Sequence, residues 1–470
     1  MMKKFHIYHI NDLHSHFEMW PQIARFVENG RQKHADEGEP SFLFDIGDHI
    51  DRFHPISEAS YGKKNVQLLN ELHFDAATIG NNEGITLPYQ ALDDLYKEAE
   101  FPVILSNLYY RNGERPEWAK PYTIRTLPDG FRIGLVGVTV SYTPFYEKLG
   151  WLIQDPFESL KETIPAAAAQ SDFLIILSHL GIYDDERLAE EFPELDLILG
   201  AHTHHVLETG KWMNSSLLCG AGKYGAYTGY VEVQYDEKAR KATKLTASVI
   251  PMESAEKSMT YEKKLNKHLE ESDTILSHPI AELPDDLEIK WFEDSDFSAF
   301  LVRALHEWCG GEAAMVNAGM LLDSLKKGPV TKKDLHRICP HPINPCKVRL
   351  KGDQLLEVIR QASTEEMEQL KLKGLGFRGA VMGKMVYEGI EVKQKRMADG
   401  KKHVSSVTIN GEPVDPEREY VIATVDMFTL GPLYPVIGQS PSKEYFMPEF
   451  LRDLLEWALA SGSPMKPISY

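Results

Sequence analysis

Cysteine is scarce in this chain, with four among 470 residues, too few to suggest a disulfide framework at this length. The four are Cys219, Cys309, Cys339 and Cys346, and they fit reduced thiols in a cytosolic protein. No stretch approaches the roughly 20 apolar residues that span a bilayer. Positive charge is also in short supply, since 51 lysines and arginines oppose 70 acidic residues, a net charge of −19. That balance excludes the basic face that polymeric nucleic acid needs.

The N-terminus lacks the marks of a secretory signal. Lys3 and Lys4 are followed by an apolar stretch that His6 and His9 interrupt, and no small-residue cleavage site follows. We therefore expect a cytoplasmic protein with no membrane partner. The acidic net charge does not exclude a small phosphate ligand, because bound metal ions can dominate the local field.

The chain is long, and it is 43% hydrophobic, so two domains with substantial cores are expected. The first half alternates short apolar runs with amphipathic stretches such as Ile23, Phe26, Val27 and Gly30, which recur at helical spacing. Alternation of this kind predicts an α/β layered fold. The predicted strands are Phe5–Ile10, Phe42–Ile46, Ala76–Ile79, Val103–Ser106, Ile133–Val140, Phe173–Leu177 and Leu195–Leu199.

The pattern changes after Thr228. Residues 230–235 alternate as a strand, and 245–251 follow as its expected partner. A polar helical stretch at 260–277, rich in Glu and Lys, is the expected connection between domains. We therefore predict one domain at 1–255, a linker helix at 256–282 and a second domain at 283–470.

The second half begins with a new amphipathic helix. Its apolar face carries Phe297, Leu301 and Leu305 at helical spacing. Further on, Asn410-Gly411 predicts a hairpin turn between strands at 404–409 and 420–424. This half reads as an α+β domain.

Five polar clusters directly follow predicted strands of the first half. Ligands of α/β sheets bind beyond the carboxyl ends of the strands, so these clusters can converge in space. One cluster alone is more often an ordinary turn, but five of them in order at strand ends favour a binding site. They are Asp12-Leu13-His14, Gly47-Asp48, Gly80-Asn81-Asn82-Glu83, Ser178-His179 and Gly200-Ala201-His202-Thr203-His204.

The clusters offer carboxylate, imidazole and amide donors without a cysteine. That mixture suits Mn²⁺, Zn²⁺, Fe²⁺, Co²⁺ or Mg²⁺, and it argues against a closed structural zinc site. Two ions about 3.5–4 Å apart could share a bridging carboxylate and clamp a phosphate. A water molecule between them becomes hydroxide near neutral pH and can attack phosphorus in line.

The order of these motifs resembles that of the calcineurin-like metallophosphoesterases. More narrowly, it is similar to the branch of 5′-nucleotidases and 2′,3′-cyclic phosphodiesterases, which includes bacterial UDP-sugar hydrolases. In the second half, the segments 328–331, 344–352 and 420–424 look more loosely like the C-terminal substrate-specificity domain of that branch. The resemblance implies a layered β-sandwich flanked by helices, followed by a C-terminal α+β domain.

The resemblance also implies a role for each metal ligand. Asp12, His14 and His204 would hold one ion, and Asp48 would bridge the two. Chemistry agrees with the bridge, because a carboxylate can bind two cations whereas a neutral imidazole normally binds one. The second ion would be held by Asn81, His179 and His202.

The sequence departs from the family at the catalytic motif. The family usually reads Gly-Asn-His-Glu with an Asp two residues later, but here the histidine position is Asn82 and the aspartate position is Ile85. In the family that histidine donates to the phosphate or to the leaving oxygen. Asn82 can donate a hydrogen bond but carries no titratable proton, and general acid help is worth about 10²–10⁴-fold. We expect slower turnover, or leaving groups that need no proton, such as pyrophosphates and aryl phosphates.

Substrate recognition departs as well. Asn317 matches the family, but the arginine position that follows is Leu322, which loses a bidentate anion contact. Arg378 is a candidate replacement for that cation. Candidate stacking faces for a base are Phe377, Phe428 and Tyr434, with core packing as the alternative for each.

Several histidines and cysteines lie outside this scheme. His16, His49 and His205 adjoin the motifs and could compensate for the missing acid, or they are ordinary loop histidines. A small metal site at 336–346 is a weaker alternative, because the spacing of its histidines and cysteines matches no standard zinc pattern. The residues concerned are His336, Cys339, His341 and Cys346.

We therefore expect dinuclear-metal-dependent hydrolysis of a phosphoester or pyrophosphate bond in a nucleotide or a related small phosphate compound. Two alternatives stay open. One is a catalytically weakened protein that binds metal and nucleotide as a sensor or scaffold, which the changes at Asn82, Ile85 and Leu322 favour. The other is a phosphodiesterase of cyclic nucleotides or dinucleotides.

Overall fold

The computed structural model describes residues 2–397 and 400–461. The chain divides into two compact units, Met1–Ser272 and Asp273–Tyr470. The last nine residues of the predicted second domain, 462–470, lie outside the described residues. Within the part of the chain that is described, no helix is both long and apolar enough to cross a bilayer.

The strands of the first unit form two large sheets and one two-stranded sheet. All seven strands predicted for its first part are present, although some are shorter than predicted. In chain order the strands are Met2–Ile10 (β1), Ser41–Asp45 (β2), Ala76–Ala77 (β3), Val103–Ile104 (β4), Leu108–Tyr110 (β5), Ala119–Lys120 (β6), Tyr122–Thr126 (β7), Arg132–Thr139 (β8), Trp151–Ile153 (β9), Phe173–His179 (β10), Leu197–Gly200 (β11), Lys211–Met213 (β12), Ser216–Cys219 (β13), Tyr227–Asp236 (β14) and Lys241–Pro251 (β15).

Helices connect and flank these strands. Helix α1 buries Ile23 and Val27, as their spacing predicted. The helices are Trp20–Glu37 (α1), Pro55–Ser60 (α2), Lys63–Glu71 (α3), Asn81–Thr86 (α4), Tyr89–Leu95 (α5), Thr143–Leu149 (α6), Pro156–Ala168 (α7), Ile182–Glu191 (α8) and Met259–Leu276 (α9), the last of which contains the point where the two units divide.

One sheet runs β15-β14-β1-β2-β3-β4-β6 and the other runs β12-β13-β11-β10-β8-β7. A shared core lies between them, with Phe5 and Phe44 from the first sheet and Leu177 and Leu199 from the second. Strands β1, β2, β3 and β4 are parallel, and so are β8, β10 and β11. Their carboxyl ends therefore gather the polar clusters at one edge, and the predicted layered sandwich is confirmed.

The second unit is built around the five-stranded sheet β20-β17-β24-β19-β25 and mixes this sheet with helices, as the prediction of a separate α+β domain requires. Its strands are Pro279–Leu283 (β16), Ala313–Asn317 (β17), Gly328–Thr331 (β18), Pro345–Lys351 (β19), Met385–Glu388 (β20), Ile390–Arg396 (β21), Lys402–Ile409 (β22), Glu412–Pro413 (β23), Glu419–Val425 (β24) and Lys443–Tyr445 (β25). Its helices are Asp296–Cys309 (α10), Lys332–Ile338 (α11), Gly352–Ala362 (α12), Glu365–Glu368 (α13), Pro435–Gly438 (α14) and Leu451–Ala460 (α15).

The hairpin prediction in this unit was half right. Asn410 and Gly411 both have positive φ, 49° and 87°, as a tight hairpin turn requires. Strand β22 pairs across that turn with the short β23. The expected partner, β24, instead pairs with β17 and β19 in the central sheet, where it is buried.

Candidate metal centre

The seven predicted metal ligands all lie at or just beyond the carboxyl ends of parallel strands. Asp12 and His14 follow β1, Asp48 follows β2, and His179 is the last residue of β10. The remaining three are Asn81, which opens α4 after β3, and His202 and His204, which follow β11.

The backbone at these positions is unusual. Five of the seven residues have a left-handed conformation, which costs free energy for any residue other than glycine and which clusters at functional sites. Their φ angles are 50° for Asp12, 49° for His14, 51° for Asp48, 70° for His202 and 58° for His204. The fold therefore holds these loops in shapes that turn the side chains toward one another.

The donor atoms converge on the two aspartates. Nε2 of His14 lies 3.8 Å from an oxygen of Asp12 and 3.6 Å from one of Asp48. Nε2 of His179 lies 3.9 Å and 3.5 Å from the same two carboxylates. Nε2 of His204 lies 3.5 Å from Asp12. Two overlapping donor groups result, one of Asp12, His14 and His204 and one of Asp12, Asp48 and His179.

Three buried donor atoms in this cluster have no hydrogen-bond partner among the described residues. They are Nε2 of His14, Nε2 of His179 and Oδ1 of Asn81. Burying such atoms without a partner is costly, and a cation satisfies all three. The other ring nitrogen of His179 donates to the Ile46 carbonyl at 2.8 Å, which leaves the lone pair of Nε2 free to bind metal. The residues present therefore fit a pair of divalent cations.

The electrostatics of the cluster are those of a cation site. Burial alone would raise the pKa of Asp48, but His179 and His14 hold it below its usual range. Burial alone would lower the pKa of His179, but the Asp48 carboxylate raises it to about 10. Burial and the nearby His179 lower the pKa of His202 to about 4. Asp48 is therefore ionised, and positive charge is stabilised beside it.

Glu83 organises the loops that carry two of the ligands. Its buried carboxylate accepts the backbone N–H groups of Asp48 at 3.0 Å, Gly80 at 2.8 Å and Ile50 at 2.8 Å. Because Gly80 directly precedes Asn81, this one side chain links the Asp48 loop to the start of α4. The contacts of Glu83 in the motif are thus structural, because its side chain connects the two loops that carry Asp48 and Asn81.

Asn82 turns toward a ligand. Its backbone N–H donates to Asp48 at 2.7 Å. Its side-chain amide donates to the Ile50 carbonyl at 3.0 Å and lies 2.9 Å from Nδ1 of His14. The Asn82 side chain therefore contacts two neighbouring loops.

Three residues that sequence reasoning missed support the ligands. Asn11 donates to Asp12 at 2.8 Å and to the Gly222 carbonyl at 2.7 Å. A carboxylate oxygen of Asp51 lies 3.5 Å from Nδ1 of His14, and the hydroxyl of Tyr142 lies 3.2 Å from Nε2 of His202. Asn11 adjoins a ligand in sequence and could have been suspected, but Tyr142 lies 60 residues from its partner.

An aromatic and cationic surface, also missed, adjoins the ligands. The Tyr224 ring lies 3.9 Å from His16 and 5.8 Å from His14, and His16 lies 4.9 Å from Phe53. The ammonium of Lys223 lies 4.6 Å from the Tyr224 ring centroid. The backbone N–H of Tyr224 donates to the Asp12 carbonyl, which fixes this surface to the metal loop.

The other two adjoining histidines have ordinary surroundings. His49 is buried against Trp20 and Phe17, and burial lowers its pKa to about 3. Nδ1 of His205 lies 2.9 Å from the Thr203 hydroxyl. These contacts favour the interpretation of both as loop histidines.

The predicted substrate residues of the second unit are mostly packed. Phe428 and Tyr434 are both 0% exposed, with their rings 4.8 Å apart in the core, which favours the alternative of core packing. Phe377 is buried in a parallel stack on His341, at 5.3 Å. Asn317 donates to the Gly383 carbonyl at 2.9 Å. Their contact with a substrate, and that of the half-buried Arg378, stays a prediction.

The weak alternative of a metal site at 336–346 gains no support. His341 donates to the Met320 carbonyl at 3.0 Å and accepts the backbone N–H of Arg378 at 2.9 Å. Both of its ring nitrogens are therefore used. Among the described residues, no metal-binding group includes His341 or the nearby Cys339 and Cys346.

A two-sheet α/β sandwich with paired aspartates, histidines and an asparagine at its strand ends defines a metal-dependent phosphoesterase. Residues 5–206 match the calcineurin-like phosphoesterases, and residues 279–432 match the 5′-nucleotidase C-terminal domain. The chain belongs to the 5′-nucleotidase family of metallophosphoesterases, with a calcineurin-like N-terminal domain and a 5′-nucleotidase C-terminal domain.

The chain is similar to individual relatives over nearly its whole length. The chain is 54% identical to the uncharacterized metallophosphoesterase YunD of Bacillus subtilis, over 98% of this chain and 100% of the relative. It is 23% identical to protein UshA of Yersinia enterocolitica, over 99% and 92%. Its fold is similar to that of the NAD nucleotidase of Haemophilus influenzae, with a TM-score of 0.67, 16% identity and coverage of 98% and 96%.

Proposed function

We propose that this protein hydrolyses a phosphoester or pyrophosphate bond in a nucleotide or a related small phosphate compound, using two divalent cations. The observation that carries the proposal is the convergence of three histidines on the carboxylates of Asp12 and Asp48, with buried Nε2 atoms on His14 and His179 that are unpartnered among the described residues. Ring nitrogens without a hydrogen-bond partner do not stabilise one another, but each is a suitable ligand for a metal ion.

The resemblance to the family implies the division of ligands, and the donor group of Asp12, His14 and His204 supports one half of it. Asp12, His14 and His204 would hold one ion, and Asp48 would be shared. The second ion would be held by Asn81, His179 and His202. When bound, the two ions would activate a water molecule for attack and neutralise charge on the phosphate oxygens. The donor set suits Mn²⁺, Zn²⁺, Fe²⁺, Co²⁺ or Mg²⁺.

The leaving group is limited by Asn82. Its amide cannot supply a proton, and it is engaged with Ile50 and His14. A leaving group that departs as a stable anion needs no proton, which favours pyrophosphate linkages and aryl phosphates over a ribose 5′-hydroxyl.

Lys223 and Tyr224 suggest how such a group is bound. A lysine can stabilise a departing anion, and an aromatic face can stack on a planar ring. Tyr224 is 37% exposed, although its backbone is tied to Asp12. We infer that these two residues contribute to substrate binding, since Leu322 stands where the family has an arginine.

The test is an assay of the purified protein with Mn²⁺ or Co²⁺ on an aryl phosphate, an aryl phosphodiester and a panel of nucleotides that includes pyrophosphate-linked ones. We expect metal-dependent release from the aryl phosphate and the pyrophosphates, with slower release from nucleoside monophosphates. Activity on the phosphodiester alone would favour the phosphodiesterase alternative. No hydrolysis of any substrate, together with tight nucleotide binding, would favour the alternative of a sensor or scaffold. The residues Asn82 and Leu322 are the sequence features that favour that alternative.

A further inference from the structure

A second group of metal-binding side chains lies in the first unit, away from the metal centre. It consists of His6 on β1, His34 in the last turn of α1 and Glu39 in the connection to β2. His6 precedes Asp12 by six residues, so at about 3.3 Å per residue of strand the two lie about 20 Å apart. The group therefore shares no ligand with the proposed hydrolytic site.

The three side chains are close enough to share an ion. One ligand atom from each lies within 4.8 Å of the other two. Nε2 of His6 donates to Glu39 at 2.7 Å, and the two imidazole rings stack at 3.5 Å with 9° between their planes. A carboxylate oxygen of Glu37 lies 3.9 Å from Nδ1 of His34 and is available as a further ligand.

One ring nitrogen of each histidine is within hydrogen-bond distance of a tyrosine hydroxyl. The Tyr230 hydroxyl lies 2.8 Å from Nδ1 of His6, and the Tyr8 hydroxyl lies 3.0 Å from Nε2 of His34. Gly30 leaves room for Tyr8, because a Cβ there would collide with the hydroxyl. A hydrogen-bond partner on the outer nitrogen is typical of metal-binding histidines, since it fixes the ring and its tautomer.

One ring nitrogen of His34 is buried without a hydrogen-bond partner in the described part of the chain and is available to bind an ion. His34 is 5% exposed, and its Nδ1 is buried with no hydrogen-bond partner among the described residues. Glu37, at 3.9 Å, is too distant for a hydrogen bond. Burial, with His6 beside it, lowers the pKa of His34.

We propose that His6, His34 and Glu39 bind one divalent cation of the Zn²⁺ class, with Glu37 or water completing four-fold coordination. Two imidazoles and a carboxylate are a common Zn²⁺ donor set. Because the stacked rings are parallel, one ring must turn against the tyrosine that holds it for both lone pairs to meet at the ion. The ion would fasten the end of α1 and the following turn to β1, which is a structural role independent of hydrolysis.

The rival interpretation is a stacked histidine pair that shares a proton with Glu39. The two differ in metal content. We would load the full chain with Zn²⁺, remove excess ion by gel filtration and count bound zinc by elemental analysis. The wild-type protein is expected to hold three ions, His34→Gln two, and Asp48→Asn to keep the one at this group.

The matched control is His73→Gln, an exposed histidine of the same unit, which should keep three ions. His34→Gln should also lose the rise in melting temperature that Zn²⁺ gives the wild type, while its aryl phosphate hydrolysis stays within about twofold. If His34→Gln does not fold, Glu39→Gln serves instead, because that side chain is partly exposed. Equal zinc counts in the wild type and in either folded variant would overturn the proposal, whether or not the protein is a hydrolase.

Discussion

The side-chain amide nitrogen of Asn82 lies 2.9 Å from Nδ1 of His14, and it also donates to the Ile50 carbonyl. The resemblance drawn from the sequence implies a histidine at this position, and the asparagine found here carries no titratable proton. Asp51 approaches the same nitrogen of His14 at 3.5 Å. The Asn82 side chain therefore lies against the ring of His14, a candidate metal ligand.

Asn82→His should restore a proton donor. We expect hydrolysis of nucleoside monophosphates to rise by about 10- to 100-fold, with little change for aryl phosphates, because general acid help matters most for poor leaving groups. The measurement is kcat/KM across leaving groups of increasing pKa. Asn82→Ala is the control, since it also removes the amide but adds no proton. No gain in the histidine variant would show that the missing acid is not what limits the rate.

Asp48→Asn should disrupt the metal centre. Asp48 lies within 3.6 Å of both His14 and His179, and an amide binds two cations poorly. Metal content at this centre should fall to one ion or none, and turnover by more than about 100-fold, which is the upper range for loss of an outer hydrogen-bond partner. Elemental analysis and an aryl phosphate assay would measure both. Asp285→Asn, at an exposed site, should change neither; retention of both ions by Asp48→Asn would contradict the ligand assignment.

Glu83→Gln should destabilise the first unit. The carboxylate accepts three backbone N–H groups, and a glutamine has one acceptor oxygen and presents its own N–H₂ to the remainder. An unsatisfied buried donor costs about 1–3 kcal/mol, so the free energy of unfolding should fall by that amount. Urea denaturation would measure it, with the exposed Glu98→Gln as control. A stability equal to that of the wild type would mean that the scaffold does not depend on this side chain.

Asp426 should make the second unit less stable at high pH. Burial raises its pKa from a usual 3.8 to about 7, so the folded state binds a proton that the unfolded state has already lost at pH 5. Stability is then highest at low pH and falls as the pH rises through 7, by about 2–3 kcal/mol between pH 5 and pH 8. Asp426→Asn should lose that part of the pH dependence in denaturant titrations, whereas Asp285→Asn should keep it. An unchanged pH profile in Asp426→Asn would show that the carboxyl is ionised in the fold.

The convergence of the candidate ligands could be predicted because parallel strands place consecutive motifs at one edge of a sheet, whatever the length of chain between them. The pairing of β24 could not, because the turn at Asn410-Gly411 specifies a reversal and not which strand follows it. The sequence marks Phe428 and Tyr434 as aromatic, but whether a ring faces a ligand or the core depends on neighbours far along the chain. Tyr224 could not be predicted for the same reason, because it lies 212 residues after Asp12 in the sequence and contacts it only in the folded chain.

The four thiols offer an experimental opportunity. All are buried, and burial raises the pKa of Cys219, Cys309 and Cys339 to about 12. Alkylating reagents attack the thiolate, so the native protein should be almost inert to them near neutral pH. Cysteines introduced on the surface, one on each unit, would then take fluorophores or spin labels in preference to the natural thiols. The distance between the two labels could be measured without first removing the natural cysteines.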